Sequence, residues 1–261
     1  FNLNFSPLIC FPSKRNDLTA QQLLIYVPKI NNRLRFTFKL ILTELLGVKF
    51  IFTDDSREFI NAQQPKFSYA FHPIGDELFI CAKQLLFESG LKDQEIQVSN
   101  LNDLPTFFAT TRFSAIPFDP FAASFYMVSR YEEYLPTIYD SHHRFEAHHS
   151  LAYNHGFLQK PVVNMWAYAI RDLLKSKFPE LQFIKREYKY LSTIDIDNAW
   201  AYTQKGLVRT VGGYLKSLSQ FDFKAIAQRT KVLLGFEKDP YDTYAFQLEV
   251  QKKYNLKTLY F

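Results

Sequence analysis

Asp195 and Asp197, separated by Ile196, close a run of residues, 188–194, that reads as a strand. In a strand, residues i and i+2 project to the same side. Both carboxylates can therefore converge at the strand's C-terminal end, where barrel and open α/β enzymes assemble their sites. There, one carboxylate can hold a divalent ion while its neighbour accepts a proton from water. The competing reading is that an aspartate after a strand simply caps the following turn. A second grouping is five histidines within fourteen residues, His142, His143, His148, His149 and His155. Imidazole is a common metal ligand. However, adjacent pairs on either side of the tetrapeptide 144–147 match neither an i, i+4 helical pair nor HExxH. The segment therefore reads as a solvated loop that can take up added metal opportunistically. The third grouping, residues 117–136, mixes aromatic residues with the pair Glu132-Glu133. Adjacent helical positions point about 100° apart, so these two acids are no catalytic dyad. Phe121, Phe125 and Val128 fall on one helical face and are expected in the core rather than on a sugar-stacking surface.

Elements must hold these groups in place. Residues 23–27 are a short apolar run stopped by Pro28, as expected of a buried strand. Asn31 and Asn32 can cap a helix with apolar positions Leu34, Phe38, Ile41, Leu42 and Leu45 and a stop at Gly47. Residues 48–52 read as the next strand, which makes a βαβ unit and predicts parallel sheet. Further strands are expected at 66–71, 77–80 and 95–98. Asp119-Pro120 predicts a helix over 121–133. A second helix follows Pro161, with a stripe of Val162, Met165, Trp166, Ala169, Ile170, Leu173 and Leu174. The charged joint Lys185-Arg186-Glu187 separates an N-terminal α/β domain, 23–186, from a second region, 187–261, and residues 1–22 read as a poorly placed leader. In the second region helices are expected at 207–219 and 223–234, with a third opened by Asp239-Pro240 and running to Tyr254. Residues 257–261 begin a strand that should pair in parallel with 189–195.

Composition narrows the classes. Among 261 residues, 47% are apolar and 22% charged, which excludes a disordered or collagen-like chain. The net charge of +5 comes from basic residues scattered in ones and twos, an ordinary solvated surface and not a nucleic-acid footprint. Cys10 and Cys81 lie far apart and outside any CxxC spacing, so no zinc knuckle or disulfide framework is read, and a reducing compartment is expected. Apolar stretches such as 40–46 are interrupted and fall well short of the ~18 to 20 residues of a membrane span. The apolar N-terminus lacks a basic lead-in, which makes a poor signal peptide. The expected location is cytoplasmic.

Thr193-Ile194-Asp195-Ile196-Asp197-Asn198-Ala199-Trp200 resembles the first motif of the polysaccharide deacetylases (NodB-homology, family-four carbohydrate esterases), in the variant with one residue between the acids. Similarity extends through residues 24–30, 118–136, 150–153, 156–158, 160–163, 205–213 and 238–243. Together these look like the uncharacterised N-terminal domain and the opening of the barrel in bacterial deacetylase-family proteins of the Bacteroidetes type, over about residues 23–261. The resemblance implies an N-terminal α/β domain followed by the first β/α unit or units of an incomplete (β/α) deacetylase-type barrel. It also implies metal-dependent deacetylation of N-acetylated sugars in a bacterial polysaccharide, with Asp195 as catalytic base and Asp197 as ligand to a divalent metal of the zinc class. The remaining ligands in that family are histidines of a later motif, and no histidine follows His155 here. Only 67 residues run from Asp195 to Phe261 inclusive, against about 200 for such a barrel. The chain thus reads as an incomplete piece, expected to be inactive alone. The rival expectation is a non-catalytic α/β module whose aromatic-rich N-terminal domain binds a glycan or a protein.

Overall fold

A computed structural model describes residues 22–261. Cys10 and, except for Gln22, the expected leader lie outside the described residues. The chain divides into two compact units, the first ending at Lys185 and the second formed by Arg186–Phe261. Both are α/β with parallel sheet. No helix among the described residues is long and apolar enough to cross a membrane.

The first unit begins with β1 (Leu23–Tyr26) and α1 (Asn32–Phe38). Asn31 caps α1, its Oδ1 accepting from Leu34 N at 3.0 Å. A π-helical turn, Lys39–Leu45, prolongs α1. Gly47 then reverses the chain with φ +75, and a Cβ there would stand 2.8 Å from that of Ile184. Only glycine meets both the conformation and the close approach. β2 (Phe50–Thr53), α2 (Ser56–Asn61), β3 (Lys66–Ala70) and β4 (Leu78–Cys81) follow, and the four strands form an all-parallel sheet in the order β2-β1-β3-β4. Register aligns Leu24 with Ile51 on one side and with Lys66 on the other. β4 is buried at every position, as expected of parallel strands covered on both faces.

The expected strand at 95–98 is absent. Ile96 and Val98 do pack on the core, but without a sheet partner, and the pairing starts later in a hairpin of β5 (Ser99–Leu101) and β6 (Leu104–Thr106). Its turn, Asn102-Asp103, holds both residues at positive φ (49 and 65), which suits a tight hairpin. Next comes α3 (Pro120–Val128), shorter than the predicted 121–133. Arg130 adopts the left-handed conformation and breaks the helix, leaving Tyr131–Tyr134 as a 3₁₀ turn. The buried face of α3 also differs from expectation. Phe121 is fully buried, Phe125 partly, and Val128 is 37% exposed, because α3 ends there. The short α4 (Leu151–Asn154) and α5 (Val162–Lys177) complete the unit, with Val162, Trp166, Ile170 and Leu174 of the expected stripe buried. Phe38 stacks on Phe121 at 3.9 Å between centroids, and Trp166 donates from its indole nitrogen to Pro105 O at 2.8 Å.

Asp119 lies at the centre of this packing. Its Oδ1 accepts from Phe121 N and Ala122 N (3.0 and 2.9 Å), while its Oδ2 accepts from Tyr69 Oη and Lys83 N (both 2.7 Å). Burial pushes its carboxyl up to about 6, against the downward pull of these donors. Burial, with Asp119 alongside, also holds the Tyr69 hydroxyl well above its ordinary value, so it remains a donor.

The second unit contains β7 (Leu191–Ile194), α6 (Gly206–Ser219), α7 (Phe223–Leu233), α8 (Tyr244–Tyr254) and β8 (Lys257–Tyr260). β7 and β8 pair in parallel, Leu191 opposite Lys257 and Ile194 opposite Tyr260, as predicted for two strands joined by a helical crossover. α8 starts at Tyr244, so Asp239-Pro240 does not open it.

Replacing Phe121 by Ala is expected to cost about 3 to 5 kcal/mol in urea unfolding, and Val128→Ala less than about 1 kcal/mol. Equal losses at the two positions would contradict the observed packing of α3. For Asp119, whose folded carboxyl titrates above its ordinary value of 3.8, the folded chain binds more protons than the unfolded one between those pH values. Its contribution to stability is therefore full below about pH 4 and is lost as pH rises through about 6. Urea midpoints at about pH 4.5 and about pH 7.5 should show this decline in the native chain and a flatter dependence in Asp119→Asn.

Candidate functional site

Asp195 and Asp197 follow β7 directly, at the C-terminal end of the β7/β8 pair. The extended backbone continues past the strand, since Ile196 N donates to Phe261 O at 3.1 Å and Phe261 N to Ile194 O at 3.0 Å. Both carboxylates are exposed and line one cavity of about 410 Å³ with Asn198, Tyr241, Tyr244 and Gln247. Neither accepts a backbone hydrogen bond among the described residues, in contrast to Asp55, Asp119 and Asp222, which cap α2, α3 and α7. The turn-capping alternative for Asp195 and Asp197 is therefore not what the structure displays.

The two walls of this cavity are tied together by a residue read differently in the sequence. Asp239 is buried, and its carboxylate accepts from the backbone N–H groups of Ala201, Tyr202 and Thr203 (2.8, 2.8 and 3.0 Å), from Tyr241 N (3.0 Å) and from Thr203 Oγ1 (3.1 Å). Burial disfavours its charge, but the surrounding N–H groups win and hold the carboxyl well below the usual carboxylate range. Tyr244 adds a hydrogen bond from its hydroxyl to Ala199 O at 3.0 Å, and its ring packs edge-on against Trp200. The segment carrying the two acids is thereby fixed to the start of α8. Asp239, Tyr244 and Gln247 were not legible as site residues; the one available signal was Asp239-Pro240, and its cap points across the site instead of along a helix.

The chemistry of this donor set is restricted. It offers carboxylate, amide and hydroxyl oxygens, with no imidazole or thiolate, since Arg186–Phe261 contains no histidine or cysteine. A catalytic zinc takes three protein ligands rich in histidine with one open position. The residues gathered here do not make that site by themselves.

The histidine-rich segment lies in the first unit. Among its members the structure brings His148 and His149 together with Glu146, their ligand-type atoms all within 4.8 Å of one another on a 3₁₀ turn. His142 and His143 stand apart from this group. His149 also lines a larger cavity of about 860 Å³ together with His155, Tyr126, Tyr134, Phe145 and Glu132. Burial raises the Glu132 carboxyl above its ordinary value, countered by the N–H of Leu151 at 2.8 Å. Glu133 points elsewhere, into an ion pair with Arg130, so the two acids diverge as expected.

Fold and site define an α/β protein with two parallel-sheet units and a pair of free carboxylates at a strand end. The chain belongs to the DUF7033 family, a family of unknown function, whose match covers residues 23–179 and thus the four-stranded sheet, α3 and α5. No curated protein and no solved structure matches it.

Loss of the Asp239 clamp should be measurable. Asp239→Ala leaves several buried N–H groups without an acceptor and is expected to cost about 1.5 to 3 kcal/mol. Hydrogen exchange of the Ala201, Tyr202 and Thr203 amides should accelerate in the variant, and unchanged protection would mean that the clamp does not hold this loop.

Proposed function

We propose that the second unit opens a metal-dependent deacetylase acting on N-acetylated sugars of a bacterial polysaccharide. In this reading Asp195 is the proton acceptor and Asp197 a carboxylate ligand to a divalent ion of the zinc class, with the other ligands supplied by segments outside residues 1–261. The observation that carries it is the placement of two uncommitted carboxylates at the C-terminal end of parallel strands, beside a cavity. The resemblance of residues 193–200 to the deacetylase motif adds the reaction class. Apolar side chains left exposed on this unit, among them Leu191 and Leu259 on the strands and Val208 and Phe246 on the helices, suit a layer that further barrel units would cover.

Hydrolysis of an acetamide needs a group that takes a proton from the attacking water. Asp195 is exposed and free of backbone donors, so its oxygens are available for that task. Asp239 acts as a positioning residue, fixing the wall opposite the acids and thereby the width of the cavity.

A second reading keeps one specific support. The cavity of about 860 Å³ in the first unit carries Tyr126, Tyr134 and Phe145 on its walls, a lining suited to stacking on sugar rings. In that reading the chain is a glycan-binding module without catalysis.

Acetate release from N-acetylglucosamine oligomers, assayed with metal content, separates the two. Residues 1–261 alone should stay near background. A polypeptide extended past Phe261 with the rest of the barrel should turn over, and its Asp195→Asn variant should lose roughly 10² to 10⁴-fold in kcat while retaining metal. Normal kcat in that variant would remove Asp195 as the base. Glycan retention by residues 1–261 without turnover in the extended chain would favour the binding module.

A further inference from the structure

In the second unit, Lys205, Arg209 and Gly213 recur at i, i+4 and i+8 and so share one face of α6 and its preceding residue. Arg229, on α7, reaches across to this face. A Cβ on Gly213 would stand 2.7 Å from the Arg229 Cζ and Nη1, so the guanidinium lies directly against this glycine and would have to shift for any side chain there. Its Cζ lies over the rings of Tyr202 and Tyr214, at 5.3 and 5.0 Å to their centroids. Such a cation–ring contact attracts the charge without supplying a hydrogen-bond acceptor of the carbonyl or carboxylate kind to the five N–H donors of the guanidinium. Nη1 is buried with no hydrogen-bond partner among the described residues. A buried donor of this kind costs about 1 to 3 kcal/mol unless something accepts from it.

What surrounds that nitrogen indicates the acceptor. A cavity of about 280 Å³ is bounded by Arg229, Lys205, Arg209, Thr210 and Gly213, with no carboxylate on its wall. None of the three cations joins an ion pair among the described residues. Three positive charges about a small cavity repel one another, and an anion with several acceptor oxygens relieves both the repulsion and the orphaned donor. We infer that the Lys205–Arg209–Arg229 cavity is a binding site for a phosphoryl group, either free inorganic phosphate or the phosphate of a sugar phosphate. The site is distinct from the Asp195/Asp197 cavity, whose lining shares no residue with it.

Titration of the 261-residue chain with inorganic phosphate and, separately, with a hexose phosphate tests this, read by calorimetry and by the amide of Gly213 and the side-chain Nε–H of Arg229 in nitrogen-edited NMR spectra. Saturable binding of one equivalent is expected, weakened about tenfold or more in Arg229→Gln and in Gly213→Ala. Arg209→Gln leaves the packing of Arg229 over the two tyrosines in place and should weaken binding too, which keeps the test valid if Arg229→Gln fails to fold. Lys216→Gln, an exposed cation of α6 outside the cavity, should bind as the native chain does. Tighter binding of the hexose phosphate assigns the phosphate of a sugar, and equal affinity assigns free phosphate. Failure of both to saturate, or native affinity in the folded Arg229 and Arg209 variants, overturns the inference.

Discussion

The carboxylate of Asp119 accepts four hydrogen bonds inside the first unit, and they come from three parts of the chain that the core must align. Phe121 N and Ala122 N fix the start of α3, Tyr69 Oη belongs to β3, and Lys83 N lies just past β4. A charge buried in this way is stable only when its donors are in place, because desolvating an ion costs several kcal/mol. The same donors would be orphaned if the acid were absent. Helix and sheet are thereby locked in one relation, and that relation brings Phe121 onto Phe38 and lets the aromatic layer form around Phe67 and Tyr69.

Asp239 repeats the device in the second unit with a different geometry. Both acids precede proline, and both collect backbone N–H groups, yet Asp119 caps the helix that begins at its own proline whereas Asp239 reaches back almost forty residues to the loop of Ala201, Tyr202 and Thr203. The opposite directions of their titration follow from the balance of two terms. At Asp119 burial is complete and outweighs four donors; at Asp239 the donors outweigh a smaller desolvation. The first arrangement stores part of its cost in the folded state, and the second gains from charge.

This difference explains where the sequence was readable. Periodicity located β1, the α1 helix, β3, β4 and α5 because burying apolar side chains sets those elements, and burial leaves its period in the text. Parallel pairing of β7 with β8 was legible for a topological reason, a strand and a strand joined by helices. The failures all involve local backbone choices that side-chain polarity does not encode. Ile96 and Val98 have the alternation of a strand and satisfy it by packing alone. Asn102-Asp103 turns the hairpin by adopting positive φ at both residues. Arg130 ends α3 by a left-handed conformation that an arginine gives no warning of. Within the candidate site the two acids were legible from their i, i+2 spacing after a strand, while Asp239 and Tyr244 were not, since they enter through contacts with a distant loop.

Polar groups in this chain therefore fall into two populations, and the contrast bears on chemistry. Asp55, Asp119, Asp222 and Asp239 each accept from backbone N–H groups and so hold backbone in place, Asp55 and Asp222 through one oxygen and Asp119 and Asp239 through both. Asp195 and Asp197 sit at a position where a cap is common, yet no backbone N–H group among the described residues takes up their oxygens, and a neighbouring clamp keeps the facing wall at a fixed distance. Arg229 presents the converse case, a buried donor with its acceptor missing and space left beside it. For the buried Arg229 donor, stability alone would favour an acceptor from within the chain, as the buried carboxylates of Asp119 and Asp239 find donors, whereas the exposed Asp195 and Asp197 are hydrated by solvent. Asp195 and Asp197, exposed and free of backbone donors, and Arg229 Nη1, buried without an acceptor, each stand beside a cavity of the second unit, and in both places hydrogen-bonding capacity faces the cavity instead of holding backbone.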